Sequence, residues 1–526
     1  MRIGRMNISH GDRPMQDTGS GRMLAGLLLV IFTSNFISPV FCSAAEPKST
    51  SSKNANSNSS NPKSTPPKNA PAPSAEQKIA QTEAGSSPAT RRTGEDWPEF
   101  LGPRGTGISG ETGLISKWGD DGPTRVFRKR LGNGYTAPSI LGNLLVVFHR
   151  QADSNIVEAL EADTGKSLWK HTYNTEFSDP YGYSNGPRCA PLLRGNRCYT
   201  WGPEGKLFCQ ALDTGKVIWQ RDTATDFDVP EAFFGVGSTP ILDGNRLICM
   251  VGGLPDAGLV AFDAETGKTL WQSVSLKTFT PPEGFRYARD DKLASYSTPL
   301  IATIHGQSHL LAFMRPGLVS VDPQTGKVRF SFFFRAPVRE SVNAARPIVV
   351  DDLIFLSAAY DTGAAVLKVQ PDGNGYDVVW RDEEAMQNHW STSLYHDGLL
   401  YGFSGRHEIP SMLKCIELNT GKLRWATEDV FPLQISPARA ADRPELNYYG
   451  RGSSILADGK MFVLSEWGHL ALLELNPRKC VELARHRVPE FQYPVWPAPV
   501  LSRKRIYLRD ERYLISYDLH PAANTP

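Results

Sequence analysis

The 526-residue chain has only seven cysteines, and none falls in a Cys-x-x-Cys or Cys-x-x-Cys-His arrangement. That argues against a zinc site or an attached c-type haem. There is no Gly-x-Ser-x-Gly elbow, no His-Glu-x-x-His pair and no kinase catalytic loop, so these routes to hydrolysis and phosphoryl transfer lack their parts. A carboxylate pair at set spacing, which a glycosidase would need, is not identifiable either. Histidines such as His389, His407 and His469 have no partner in sequence that would mark them as ligands, and read as surface or strand filler. The sequence therefore predicts no catalytic residue and no metal ligand. A basic excess is lacking too. The formal net charge is +2, and the first 94 residues carry 11 Lys/Arg against 5 Asp/Glu, which leaves the rest at net −4. General nucleic-acid binding needs a dominant basic face, so nucleic acid is excluded as a partner.

The N-terminus carries Arg2, Arg5, Arg13 and Arg22, an apolar run from Met23 to Phe41, and then Cys42-Ser43-Ala44-Ala45. This is the pattern of a signal peptide over 1–45; the other reading is an uncleaved single-span anchor, the one route to membrane contact. Bulky Phe41 argues against lipidation at Cys42. Residues 46–94 are Ser, Pro, Asn, Lys and Ala with almost nothing apolar, and predict a disordered linker. The expectation is an exported protein of the periplasm or cell envelope, or an extracellular one.

What is present is a repeat. Thr-Gly-Lys-x-x-Trp, or a close variant, starts at Thr164, Thr214, Thr266, Thr325 and Thr420, with spacings of 50, 52, 59 and 95 residues. The copies end in Trp169, Trp219, Trp271, Phe330 and Trp425. A hidden copy, Asp372-Gly373-Asn374-Gly375, leads to Trp380, and a degenerate one is Asn476-Pro477-Arg478-Lys479. A period near 50 in β-rich text predicts a propeller of four-stranded antiparallel blades. Gly accepts the positive φ of the turn. An acid three residues before the Thr (Glu161, Asp263, Asp322, Glu417) can accept turn bonds, and the aromatic fills the wedge between neighbouring blades. These six aromatics are structural.

A second phrase, a small residue and Pro before an apolar strand, recurs six times from Thr136-Ala137-Pro138 to Pro497-Ala498-Pro499, and the weaker forms Ser391-Thr392-Ser393 and Gly452-Ser453-Ser454 bring the openings to eight. The eighth blade has only three strands at the C-terminus, 498–502, 505–509 and 512–518. The orphan stretch 124–131, with Phe127 where a docking aromatic belongs, is expected to complete it and close the ring. The division is then a lead-in segment over 95–123, a propeller over 124–519 and a tail over 520–526. The product is an all-β, eight-bladed ring and a monomer.

The copy Ala261-Phe262-Asp263-Ala264-Glu265-Thr266-Gly267-Lys268-Thr269-Leu270-Trp271 resembles the repeat of the PQQ-like β-propeller family, Ala-x-Asp-x-x-Thr-Gly-x-x-x-Trp. Trp97-Pro98-Glu99-Phe100-Leu101-Gly102-Pro103-Arg104-Gly105, followed by Gly132-Asn133-Gly134-Tyr135-Thr136-Ala137-Pro138, is similar to secreted planctomycete-type members. The resemblance covers about three quarters of the chain. It implies kinship with quinone-dependent dehydrogenases and with the outer-membrane β-barrel assembly lipoprotein, and so leaves function open. The dehydrogenases hold PQQ between a Trp floor and a disulfide of two adjacent cysteines, with calcium and an Asp base. No two cysteines are adjacent here, which argues against PQQ with calcium, although Trp390 could mimic the floor.

Of the six cysteines beyond residue 45, Cys209 and Cys415 share a repeat position with Ala159, Ala261 and Ser320, a tight buried slot. With Gly202–Gly205 as the hairpin loop, Cys198 and Cys209 would fall opposite each other, either packed or joined by a cross-strand disulfide.

The residue three before each opening Pro, or its equivalent, should ring the mouth of the central channel: Tyr135, Arg188, Gly237, Tyr296, Ala344, Trp390, Arg451 and Trp496. Aromatics and arginines are the usual anchors of recognition surfaces. Tyr135, Arg188, Tyr296, Trp390, Arg451 and Trp496 are therefore the candidate ligand-binding residues, with a channel plug as the other reading. Nearby loops add Tyr181, Tyr183, Phe233, Phe234, Tyr448 and Tyr449. The sequence thus predicts a non-catalytic binding or assembly scaffold, engaging a protein partner or a small ligand at the mouth. The alternative is a PQQ-dependent alcohol or sugar oxidoreductase with a rearranged site.

Overall fold

The computed structural model of the chain describes residues 93–230, 234–288, 291–336, 338, 341–406, 411–427 and 449–521. The expected signal peptide and nearly all of the linker lie outside the described residues, as do Phe233, His407 and Tyr448. The described residues form eight four-stranded antiparallel sheets. Among them helix is confined to short turns such as Thr223–Asp226 and Leu276–Thr278, and no helix is long and apolar enough to cross a membrane. The protein is an all-β, eight-bladed propeller.

Blades 1 to 7 are consecutive, spanning 139–174, 192–222, 241–273, 300–333, 348–382, 394–426 and 453–487. Blade 8 takes Val500–Ser502, Arg505–Arg509 and Tyr513–Asp518 from the C-terminus and Arg125–Arg130 from the N-terminal side. The register runs from Arg125↔Tyr517 to Arg130↔Tyr513. Pairing the two ends of the chain removes the free edges an open ring would expose. Further bonds stitch blade 8 to blade 1. Arg509, fully buried, donates to the carbonyls of Thr136 (2.9 Å), Phe148 (3.0 Å) and Gly132 (3.2 Å). Burial lowers its pKa to about 10. Tyr507 donates to the Ala162 carbonyl at 3.1 Å.

The core lies between blades. Each cluster of buried apolar side chains draws on adjacent blades, such as Leu192, Tyr199 and Trp201 with Leu247, Val260 and Phe262. Removing this surface from water is what holds neighbouring blades together. The repeat aromatics seal the outer rim of each wedge. The Trp169 indole N–H donates to the Leu212 carbonyl of the next blade at 2.9 Å, Trp219 to Ala264 at 2.8 Å, Trp271 to Pro323 at 3.1 Å, Trp380 to Leu418 at 2.8 Å and Trp425 to Asn476 at 2.9 Å. The turn glycine of the following blade lies flat on the ring. A Cβ on Gly215 would come 2.4 Å from the Trp169 ring, at a φ of +71°, so this position requires Gly twice over. Phe127 plays the same part beneath Gly165. Phe330 departs from the pattern: it is buried, and Tyr376 of blade 5, rather than the turn glycine, packs on it at 5.4 Å.

The turn acids act as expected in two ways. Asp263 accepts from the Thr266 amide (2.9 Å) and hydroxyl (2.7 Å), and Asp322 from the amides of Gln324 and Thr325, both at 3.0 Å. The longer Glu161 and Glu417 accept from the Thr hydroxyl, at 2.6 and 2.7 Å.

The cross-strand cysteine pairing does not occur. The observed register is Tyr199↔Cys209 and Cys198↔Gln210. The hairpin between Trp201 and Leu207 holds one residue more than Gly202–Gly205, and one step of register sends a side chain to the other face of a sheet. Cys198 accordingly packs in the wedge with blade 1 and Cys209 in the wedge with blade 3; both are free thiols. Cys209 and Cys415 stand opposite Trp219 and Trp425, as Ala159 and Ala261 stand opposite Trp169 and Trp271. All four are fully buried.

The lead-in segment has a role the repeat pattern did not reveal. It crosses the ring against the innermost strands. Trp97 bridges to Ile140 of blade 1 (3.0 and 2.8 Å), the Pro98 carbonyl accepts from Leu193 of blade 2, and Gly105 accepts from Arg346 before blade 5. Gly107 accepts from Leu456 of blade 7, and Glu95 accepts through its backbone from Ser502 of blade 8. A bidentate Arg104–Glu95 pair, both bonds 2.8 Å, folds the segment on itself and holds the Glu95 carboxyl down at about 2.

Candidate binding site at the channel mouth

Each blade's first strand begins near the central axis, so the residues just before it converge there. All eight repeat-equivalent positions, from Tyr135 to Trp496, line a single cavity of about 380 Å³. Phe100 and Leu101 of the lead-in segment line it as well, closing it from the far side. The channel is a cup with a floor.

The walls are a lattice of rings and guanidinium groups. Trp496 lies 4.8 Å from Tyr135, 4.7 Å from Trp390 and 5.7 Å from Tyr183 between ring centroids. On the other side Phe234 meets Tyr296 at 5.6 Å, Tyr183 at 5.8 Å and Tyr181 at 5.1 Å. Arg188 sits over Tyr135 and Phe234, at 5.8 and 5.7 Å. Arg451 sits over Trp390 and Trp496, at 4.6 and 5.5 Å. These are cation–π distances. Gly237 supplies no ring because Tyr296 occupies the space; a Cβ there would lie 2.4 Å from the Tyr296 ring.

The polar ends of these side chains are turned into the protein. Arg188 pairs with Asp179 at 2.9 Å, and Arg451 with Glu466 at 3.0 Å. Trp496 donates to Glu466 at 3.3 Å and the Tyr135 hydroxyl to the Tyr183 carbonyl at 3.0 Å, while the Tyr296 hydroxyl accepts from the Phe234 amide at 2.8 Å. Burial raises the Glu466 pKa, and Arg451 pulls against the shift. Burial likewise drives the Tyr135 and Tyr296 phenols far up, so neither ionises near neutrality.

Of the neighbouring-loop residues, Tyr181, Tyr183 and Phe234 join the wall. Tyr449 does not: it is buried between blades 6 and 7 and bonds Glu482. Three further wall residues were not singled out as a site. His389 reaches the Tyr360 hydroxyl at 3.2 Å, and Arg406 stacks over Tyr360 at 4.4 Å. The carboxylates Asp179 and Glu466 were missed as well. Their one signal in the sequence is adjacency to the aromatic loops, Asp179 two residues before Tyr181 and Glu466 beside Trp467. His469, read as filler, is buried and bonds Ser465 through its ring.

Among the described residues, no group of three or more His, Cys, Asp or Glu is placed to hold a metal ion. None of the described cysteines lines the cup.

Eight four-stranded blades with Thr-Gly turns and docking tryptophans define a propeller of the quinoprotein type. Residues 153–427, just over half of the chain, match the family described as outer membrane protein assembly factor BamB, and the chain belongs to that family. Among solved structures, the quinohemoprotein alcohol dehydrogenase of Comamonas testosteroni is similar at 13% identity and TM-score 0.54, over 82% of each chain. One from Pseudomonas putida is similar at 13% identity and TM-score 0.55, over 82% of this chain and 81% of its own. BamB of Moraxella catarrhalis is 14% identical at TM-score 0.49, over 75% of this chain and 97% of its own. For the two dehydrogenases, identities this low show shared fold alone. No curated protein matches the chain in sequence.

Proposed function

We propose that the chain is an exported, non-catalytic binding propeller of the cell envelope, working as a monomer whose channel mouth is the recognition site for a small ligand or a partner's protruding group. One observation carries this reading. Eight loops and the lead-in segment build one closed cup lined chiefly by aromatic and apolar side chains, the kind of concavity in which ligands settle. The family's description as an assembly factor fits a binding role, and the leader-like N-terminus fits export.

The oxidoreductase reading has the fold of its relatives but a poor donor set. PQQ is a tricarboxylate, and the wall arginines Arg188 and Arg451 are already paired with Asp179 and Glu466. A calcium ion would need several carboxylate or carbonyl oxygens, and the described wall contains no Asp or Glu. Trp390 is a stacking surface without the rest of such a site.

The test uses Tyr181 and Tyr183, about half exposed at the rim, whose truncation spares the core. Wild-type protein and the Tyr181→Ala/Tyr183→Ala variant are incubated with envelope extract, and the bound material is identified by mass spectrometry. The expected result is a species retained by wild type and lost from an equally stable variant. Identical recovery by both proteins rules out the mouth as the recognition site.

A further inference from the structure

We infer that the cup selects an amphipathic organic monoanion, its apolar body held among the rings and its charged head at Arg406. This rests on the mouth being the recognition site and goes on to the chemistry of what it takes.

The size is that of a small-molecule site: about 380 Å³, within the usual range of a few hundred to a thousand. The floor, Phe100 and Leu101, offers no polar side chain. Two of the wall's polar groups, the Tyr135 hydroxyl and the Trp496 indole, are spent inside the protein and cannot bond a polyol. An apolar body is favoured over a sugar.

The sign of the charge follows from the guanidinium groups. Arg188 and Arg451 already occupy faces of Tyr135, Phe234, Trp390 and Trp496. A ring whose quadrupole is engaged by one cation is a poor host for a second, so a quaternary ammonium is disfavoured. Both arginines are neutralised by Asp179 and Glu466 and add little net charge. Arg406 differs. It is exposed at the cup, oriented by Tyr360 at 4.4 Å, and no ion pair to it is found among the described residues. The described wall holds three arginines and no Asp or Glu. A positive charge at the rim of an apolar cup, without an ion pair among the described residues, calls for one negative charge on the ligand.

Three dyes of similar size and different charge test this: anilinonaphthalene sulfonate (anionic), N-phenylnaphthylamine (uncharged) and thioflavin T (cationic). Fluorescence titration of the purified chain should give one sulfonate dye per chain, bound about fivefold tighter than the uncharged dye at low salt, the size expected of one exposed charge pair. That preference should fade at high salt, and thioflavin T should bind weakest. Arg406→Gln should erase the preference, while Tyr183→Ala should weaken both dyes. Equal binding of charged and uncharged dyes, or a preference that survives Arg406→Gln, overturns the monoanion and leaves the cup standing. If no dye binds, or Tyr183→Ala changes nothing, the mouth as a recognition site falls with it.

Discussion

At the scale of single residues, the Trp–Gly contact between blades is the unit that repeats. Trp271 shows what it contributes: a half-buried indole, an N–H bond to Pro323 and a face covered by Gly326. Trp271→Ala should destabilise by about 3 kcal/mol, the low end for a large aromatic because one side of the ring meets solvent. Denaturant unfolding measures this, and an unchanged midpoint would mean that the residue is not wedged between blades. The buried histidines make a second prediction. Burial holds His309 at about 4 and His469 at about 3, and lowers His149 as well. The unfolded chain protonates its histidines near 6.5, well before the folded chain does, so it binds more protons below that pH. The stability owed to these neutral rings is complete above about pH 6.5 and is lost as pH falls towards 4. A His309→Gln/His469→Gln variant should lose less stability than wild type between about pH 6.5 and pH 4.5; equal losses would remove these groups as the cause.

At the scale of elements, closure depends on the strand Arg125–Arg130. Deleting residues up to 131 should leave blade 8 with three strands and sharply lower the melting temperature. Deleting residues up to 92 should change it very little. Equal melting temperatures would contradict closure by that strand. The sequence made this strand legible because the eighth blade was one strand short and Phe127 stood in a docking position, where it now lies under Gly165. The blades themselves were legible because Thr-Gly and Trp fix register from both sides of the same contact. Where that register had to be counted across an irregular turn, reading failed: the loop after Trp201 is one residue longer than Gly202–Gly205, and Cys198 and Cys209 part to opposite faces. The mouth followed the same division. Its eight wall positions were fixed by the strand starts, six of them marked by Pro, whereas Tyr360, Arg406, Asp179 and Glu466 come from loops of unequal length with no period to follow. The floor was hidden for a further reason: Phe100 and Leu101 belong to a segment outside the repeat, and only its bonds to blades 1, 2, 5, 7 and 8 bring it beneath the channel.

At the scale of the whole molecule, the ring is a rigid frame that aims eight loop ends at one point, and the lead-in segment turns a channel into a cup. The same fold serves alcohol dehydrogenases, and the family is described as an assembly factor; for this chain, the chemistry of the mouth is what distinguishes a redox site from a binding surface. The proposal is a mouth that binds without catalysing. The most direct measurement is to incubate the purified chain with PQQ and calcium, remove the unbound quinone, and record both the quinone absorbance and alcohol- or sugar-dependent dye reduction. No retained quinone and no turnover are expected. Stoichiometric retention of quinone with substrate-dependent dye reduction would contradict the proposal and make the chain an oxidoreductase.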